Sequence, residues 1–162
     1  SIFQYVDVVK ETDTIRVFNF HLQSLKFSPT NLKYIEKPTI NDQEDLRKSR
    51  NLIGKIKVGL LKRKIQAERI RTEIEKSPYP VIVCGDLNDV PNSYAYSTIA
   101  KDLKNAFTEK GSGIGRTFSG ISPTLRIDNI FVADKFEVGQ FVRIRKKLSD
   151  HFPIIADVQL NK

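Results

Sequence analysis

Residues 81–88 read Val81-Ile82-Val83-Cys84-Gly85-Asp86-Leu87-Asn88: four apolar residues, a glycine, and two polar side chains separated by a leucine. Ser77-Pro78-Tyr79-Pro80 precedes them and stops whatever helix lies upstream. A short apolar run bounded in this way is expected to be a central strand covered on both faces. Cys84 would then be buried within it as a small apolar residue. Asp86 should emerge at the C-terminal end of that strand, where α/β proteins place their ligands. Asn88, two residues on, should point to the same side. Taken alone, Gly-Asp-x-Asn is more often an Asx turn closing a strand than a site.

Upstream of the strand lies the charge. The 162 residues hold 27 Lys and Arg against 19 Asp and Glu, a formal net charge of +8. The segment 46–76 alone carries 11 basic and three acidic residues, and the rest of the chain balances. Such a face is either a solvated helix surface or a docking site for a polyanion: nucleic acid, phosphoinositide or an anionic membrane. Asp42-Gln43-Glu44-Asp45 offers a helix start. Leu46, Leu52, Ile53, Ile56, Leu60, Leu61, Ile65, Ile70 and Ile74 form the expected core face; Gly54 and Gly59 weaken the middle, leaving one helix or two open, with Leu60 to Glu75 the firmer part.

Further upstream, residues 2–10 and 14–22 predict a hairpin around Glu11-Thr12-Asp13, and Gln23 to Asn41, with Pro29 and Pro38, an extended loop or short helical turns. Downstream, a helix is expected from Pro91-Asn92-Ser93 to about Ala100, where Tyr94 and Tyr96 serve packing. The glycine-rich Gly111 to Gly115 lacks the lysine of a P-loop and is expected to be a connection. Thr117-Phe118, Ile127 to Val132, Phe136 to Ile144 and Phe152 to Leu160 complete a strand-rich end. The fold class is mixed α/β, one compact domain by size. Disorder and repeat arrays are excluded. Uninterrupted apolar stretches fall far short of the ~20 residues a membrane helix needs, and the single cysteine excludes an internal disulfide or a thiolate zinc cluster. The chain holds no methionine and opens directly in strand-like sequence, so it is expected to be the C-terminal part of a longer polypeptide.

Polar residues gather at strand ends in four places: Asn19-Phe20-His21, Gly85-Asp86-Leu87-Asn88, Arg126-Ile127-Asp128-Asn129 and Ser149-Asp150-His151-Phe152-Pro153. The two histidines of the chain are both among them. In this order and context the sequence resembles the endonuclease/exonuclease/phosphatase family, the DNase I-like fold that also includes abasic-site endonucleases, sphingomyelinases and inositol-polyphosphate phosphatases. The resemblance implies a four-layer α/β/β/α sandwich, of which residues 1–162 supply the C-terminal portion, about the second half.

It further implies a phosphoesterase dependent on Mg²⁺ or Mn²⁺. Asp86 would orient or deprotonate the attacking water and touch the metal, Asn88 and His151 would hold phosphoryl oxygens, and Asp128 would orient His151. Asp150 would bind the cation together with a glutamate from the family's first half. His21 would stabilise negative charge or protonate the leaving oxygen, and Asn19 would line the phosphate site. The family's first half supplies that glutamate in a Gln-Glu segment; Gln43-Glu44 follows His21 and so stands in the wrong place for it. The implied partners are a phosphate ester (nucleic acid, phospholipid headgroup or inositol phosphate) and either the N-terminal half of the domain or a second copy of the chain. Either would cover an apolar sheet face built from residues such as Val17, Val81, Val83, Ile130, Val132 and Ile155. The fragment alone is expected to be inactive. A reading of a different class is a non-catalytic module that holds a polyanion through the basic 46–76 segment.

Overall fold

The computed structural model describes residues 2–25, 31, 34, 35, 43–120, 125–146 and 148–161. The expected loop from Gln23 to Asn41 lies mostly outside them. Five strands form the main sheet: β1 (Ile2–Lys10), β2 (Asp13–His21), β3 (Val81–Asp86), β4 (Leu103–Asn105) and β5 (Asp128–Ala133). Their spatial order is β1-β2-β3-β5-β4, so the apolar run 81–84 is central. β1 and β2 are the expected hairpin, β2 runs parallel to β3, and β5 is antiparallel to both β3 and β4. β6 (Phe136–Arg143) and β7 (Ile154–Leu160) pair as a separate two-stranded sheet. Of the expected strand at Thr117-Phe118 there is a single bridge, Phe118 to His151.

Among the described residues, 31, 34 and 35 are helical, and three helices are given bounds: α1 (Gln43–Glu75), α2 (Tyr94–Ala100) and α3 (Ala106–Lys110). Ser93 caps α2 by accepting from the Tyr96 amide, and Asn105 caps α3 by accepting from Phe107. One face of the main sheet, with Phe18, Phe20, Val81, Val83 and Phe131, packs on Ala67, Ile70 and Ile74 of α1 and Ala95 and Ile99 of α2. On the other face Ile82, Ile130 and Val132 meet Ala106, Phe136, Val138, Phe141, Ala156 and Val158. Helices, sheet and second sheet therefore stack in that order.

One expectation left open is decided, and three about burial need correction. First, α1 is one unbroken helix, because Gly59 is a contact point: a Cβ there would strike the side chain of Leu25. Second, its buried stripe is Gly59, Arg63, Ala67, Ile70 and Ile74. Leu46, Ile53, Leu60, Leu61 and Ile65 are exposed, while Ile70 and Ile74 are buried as expected, with Ala67 against the sheet and Gly59 against Leu25. Third, Val81 and Val83 are covered by helices and Val132 by β6 and β7, so they belong to no open face. The open apolar surface of the strands includes β1, exposed along its whole length, and Ile155.

Fourth, Cys84 is half-buried, because it alternates with Val81 and Val83 and faces away from the helices. Burial still pushes its thiol up to about 11. At a pH near 8 almost none of it is thiolate, whereas an unfolded cysteine titrates near ~8.5. Alkylation by iodoacetamide is therefore expected to be about tenfold or more slower in the folded chain than in denaturant, after allowing for the higher nucleophilicity of a more basic thiolate. Equal rates in the two states contradict this placement.

Candidate active site

The pairing register sets three side chains in one row. His21 ends β2 opposite Asp86, which ends β3, and Asp86 in turn stands opposite Asp128 at the start of β5. Adjacent strands lie about 4.8 Å apart, so a row of this kind converges on one edge of the sheet. Gly85 permits it: a Cβ there would stand 2.6 Å from the Phe20 carbonyl oxygen. The row borders a cleft of about 380 Å³ lined by Asn19, His21, Cys84, Asp86, Asp128 and Ile154 among others.

Asn88 enters from the turn after β3. Its backbone is left-handed, with φ of 49°, a conformation asparagine tolerates better than most residues. Its amide N–H donates to Asp86 Oδ1 at 2.7 Å, closing the Asx turn, and its Nδ2 lies 3.0 Å from Asp86 Oδ2 and 3.2 Å from His21 Nε2. The Asx turn expected of Gly-Asp-x-Asn is thus present. The turn is what aims the Asn88 side chain between Asp86 and His21.

His151 reaches the row by a separate route. The Ser149 hydroxyl accepts from the His151 amide at 3.0 Å and makes the bend that carries His151. Ser119 N–H donates to the Asp150 carbonyl, Phe152 N–H to the Thr117 carbonyl, and the Thr117 hydroxyl accepts from the amides of Ile127 and Asp128. Buried Thr117 therefore ties the 149–152 segment to the start of β5. The result is His151 Nδ1 donating to Asp128 Oδ2 at 2.8 Å. Asp86, Asp128 and His151 each offer a ligand atom within 4.8 Å of the others. Asp150 is exposed and stands outside that tight group, while Asn129 faces inward and accepts from Asn105 Nδ2.

The electrostatics follow from the crowding. Burial raises the Asp86 pKa, the Asn88 amide opposes this, and the nearby Asp128 charge raises it again. For His151 burial disfavours the charged ring, but the hydrogen bond to Asp128 and the charges of Asp128, Asp86 and Asp150 outweigh it, so its pKa is raised. A raised histidine pKa stabilises the folded chain fully below the unfolded value of about 6.5, and that contribution is lost as pH rises through the folded value. Asp128→Asn is expected to lower the His151 pKa in an NMR titration, which is easily read with two histidines in the chain. An unchanged His151 curve contradicts the pairing.

Two residues that hold this site in place escaped the sequence reading. Arg63, counted there among surface charges, is 2% exposed, donates through Nε to Asp89 Oδ2 at 2.9 Å and through Nη1 to the Gln23 carbonyl at 3.2 Å. Asp89 directly follows Asn88, so this pair bolts the turn carrying Asn88 to α1. The available signal was an arginine spaced four residues from both Gly59 and Ala67.

The model of the Endonuclease/Exonuclease/phosphatase family matches residues 20–151, and the chain belongs to that family. No curated protein matches it. Among solved structures it is similar to a functionally unknown conserved protein from Enterococcus faecalis V583, at 17% identity and a TM-score of 0.67, covering 98% of this chain and 55% of that one. It is similar to the human Nocturnin catalytic domain with bound sulfate, at 15% identity and 0.59, covering 98% and 52%. It is also similar to a mannosyl-6-phosphatase from Bacteroides thetaiotaomicron VPI-5482, at 17% and 0.52, covering 93% and 53%. These likenesses establish the DNase I-like fold. The chain spans about half the length of each of these structures.

The site suits a metal of a particular kind. The carboxylates of Asp86 and of exposed Asp150, next in sequence to His151, are oxygen donors, which favour a hard divalent cation over a thiophilic one, while Asp128 is engaged with His151 Nδ1.

Proposed function

We propose that this chain carries the catalytic edge of a metal-dependent phosphoesterase acting by in-line attack of water on phosphorus. The observation that supports it is the row His21–Asp86–Asp128 with Asn88 and His151 hydrogen-bonded into it. Phosphoryl transfer asks little covalent chemistry of a protein; positioned charge and hydrogen-bond donors supply most of the acceleration. The family name and the phosphatase among the structural neighbours point to the same reaction class.

Each side chain then has a distinct task. Asp86, held by the Asn88 amide, orients the water and accepts its proton as the new P–O bond forms. Asn88 Nδ2 donates to a phosphoryl oxygen. His151, whose charged form Asp128 favours, donates from Nε2 to another, because Nδ1 is committed to Asp128. His21 faces the departing oxygen and returns a proton to it as the ester P–O bond breaks, while Asn19 lines the phosphate pocket. Asp86 and Asp150 are the residues that would hold Mg²⁺ or Mn²⁺, which supplies charge neutralisation at phosphorus and at the leaving oxygen.

Residues 1–162 are in this reading the C-terminal portion of one domain, and the remainder of the domain covers exposed β1. Without that cover the chain would self-associate through β1 and show little activity. Activity is tested in the natural polypeptide that carries this chain, on a phosphomonoester and a phosphodiester of p-nitrophenol. Hydrolysis of either that stops on chelation and returns with Mg²⁺ supports the proposal. Chelator-insensitive hydrolysis, or none of either ester, rejects it.

A further inference from the structure

The outward face of α1 is unlike an ordinary solvated helix surface. At about 100° per residue, Val58, Leu61 and Ile65 fall on one stripe directly opposite the buried Gly59, Arg63, Ala67, Ile70 and Ile74. Those three apolar side chains are 53%, 53% and 51% exposed. Arg47, Arg50, Lys57, Lys62 and Arg69 flank the same stripe. Among the described residues none of these five cations makes a hydrogen bond or ion pair. The helix's other cations are engaged: Lys48 with Glu44, Lys55 with Asn31, Arg63 with Asp89, Lys64 with Glu68, and Arg71 with Glu75 and Asp102. From residue 46 to residue 67 there is no acidic side chain. The unpaired charge therefore runs over about 33 Å of helix and brackets an apolar stripe about 10 Å long, while Leu46, Ile53 and Leu60, also exposed, lie about 110° round the helix.

We propose that this face docks α1 lengthwise on an anionic phospholipid surface. A polyanion such as duplex DNA would satisfy the five cations but leave the apolar stripe in water. A bilayer interface takes both: the stripe enters the boundary between headgroups and acyl chains, and the flanking cations meet acidic headgroups. No described helix is long and apolar enough to cross a membrane, so this contact lies in the plane of the surface. The assignment does not depend on the phosphoesterase reading.

The chain contains no tryptophan, so one introduced residue reports its own surroundings. Leu61→Trp and Ile65→Trp are made separately, with circular dichroism confirming the fold, and Ile114→Trp in the exposed glycine-rich loop serves as reference. Vesicles of phosphatidylcholine with about 30% phosphatidylglycerol should blue-shift the emission of the α1 reporters and leave the reference unchanged; pure phosphatidylcholine should shift none of them. Removing Arg50, Lys57 and Lys62 together as glutamines should weaken partitioning by about a hundredfold, roughly fivefold per cation. Three results overturn the proposal: equal partitioning into neutral and anionic vesicles, equal shifts at Ile114→Trp and the α1 reporters, or unshifted emission on anionic vesicles. In the last case, salt-sensitive binding of duplex DNA would assign the face to nucleic acid instead.

Discussion

Asp86→Asn and His151→Ala, each in the natural polypeptide that carries this chain, are expected to lower the turnover of a phosphate ester by roughly 10²–10⁴ while leaving the fold nearly intact. Both side chains sit at the rim of the sheet. Neither contributes to the packing of Phe18, Val83 and Phe131 against α1 and α2. Asp86→Asn keeps the shape of the turn and can still accept from the Asn88 amide, but it removes the proton acceptor and a carboxylate from the row. His151→Ala removes the donor that Asp128 orients. Asp128→Asn should cost less than His151→Ala, because it leaves the imidazole present but without the carboxylate that orients it and favours its charged form. Stopped-assay rates for the three variants against the unmodified protein check this, and full activity in both Asp86→Asn and His151→Ala contradicts the assignment.

Arg63→Ala is expected to cost stability on the scale of the whole fold. Removing one partner of a buried ion pair strands the other charge, at about 3–5 kcal/mol, beside a total of about 5–15 kcal/mol for a domain. Asp89 would be left in a site where its side chain is 10% exposed. A midpoint lowered by about 10 °C or more follows, at roughly 2–4 °C per kcal/mol for a chain of this size. The double replacement Arg63→Met with Asp89→Leu should recover much of the loss, since it removes the stranded charge and leaves apolar volume. Thermal denaturation of the single and double variants forms the test. A double variant as unstable as the sum of its parts would mean that the pair holds little beyond each residue's own packing.

The strand from Val81 to Asp86 was legible because a four-residue apolar run between prolines and a glycine has few alternatives, and with it came the direction in which Asp86 and Asn88 emerge. The hairpin of β1 and β2 was legible for a similar reason, from β-branched and aromatic residues on both sides of Glu11-Thr12-Asp13. Strand ends also brought His21, Asp86, Asp128 and His151 together before any coordinates did, since parallel β2 and β3 and antiparallel β5 share one edge. The face of α1 was read in part: Ile70 and Ile74 are buried as expected, but Leu46, Ile53, Leu60, Leu61 and Ile65 are not. Its leucines and isoleucines follow the helical period well enough to suggest a core, but the stripe that packs on the sheet is the one with small residues and a paired arginine. Periodicity counts apolar residues; it does not weigh how closely two elements must approach. Cys84 was misplaced by the same simplification, because a continuous apolar run does not reveal that one of its faces borders a cleft. The backbone bonds from Ser119 to Asp150 and from Phe152 to Thr117 join segments more than 30 residues apart, and no local pattern announces them.

The central claim is that His21, Asp86, Asn88, Asp128 and His151 form one centre for a divalent cation and a phosphoryl group. Paramagnetic broadening tests it most directly, since the chain has two histidines and both belong to the centre. Titration with Mn²⁺ up to the millimolar range typical of weak carboxylate sites is expected to broaden the Cε1–H signals of His21 and His151 together. Excess Mg²⁺ should restore them by competition, and Asp86→Asn should abolish the effect. Two histidine signals that stay sharp throughout the titration, or one that broadens without the other, would contradict the account.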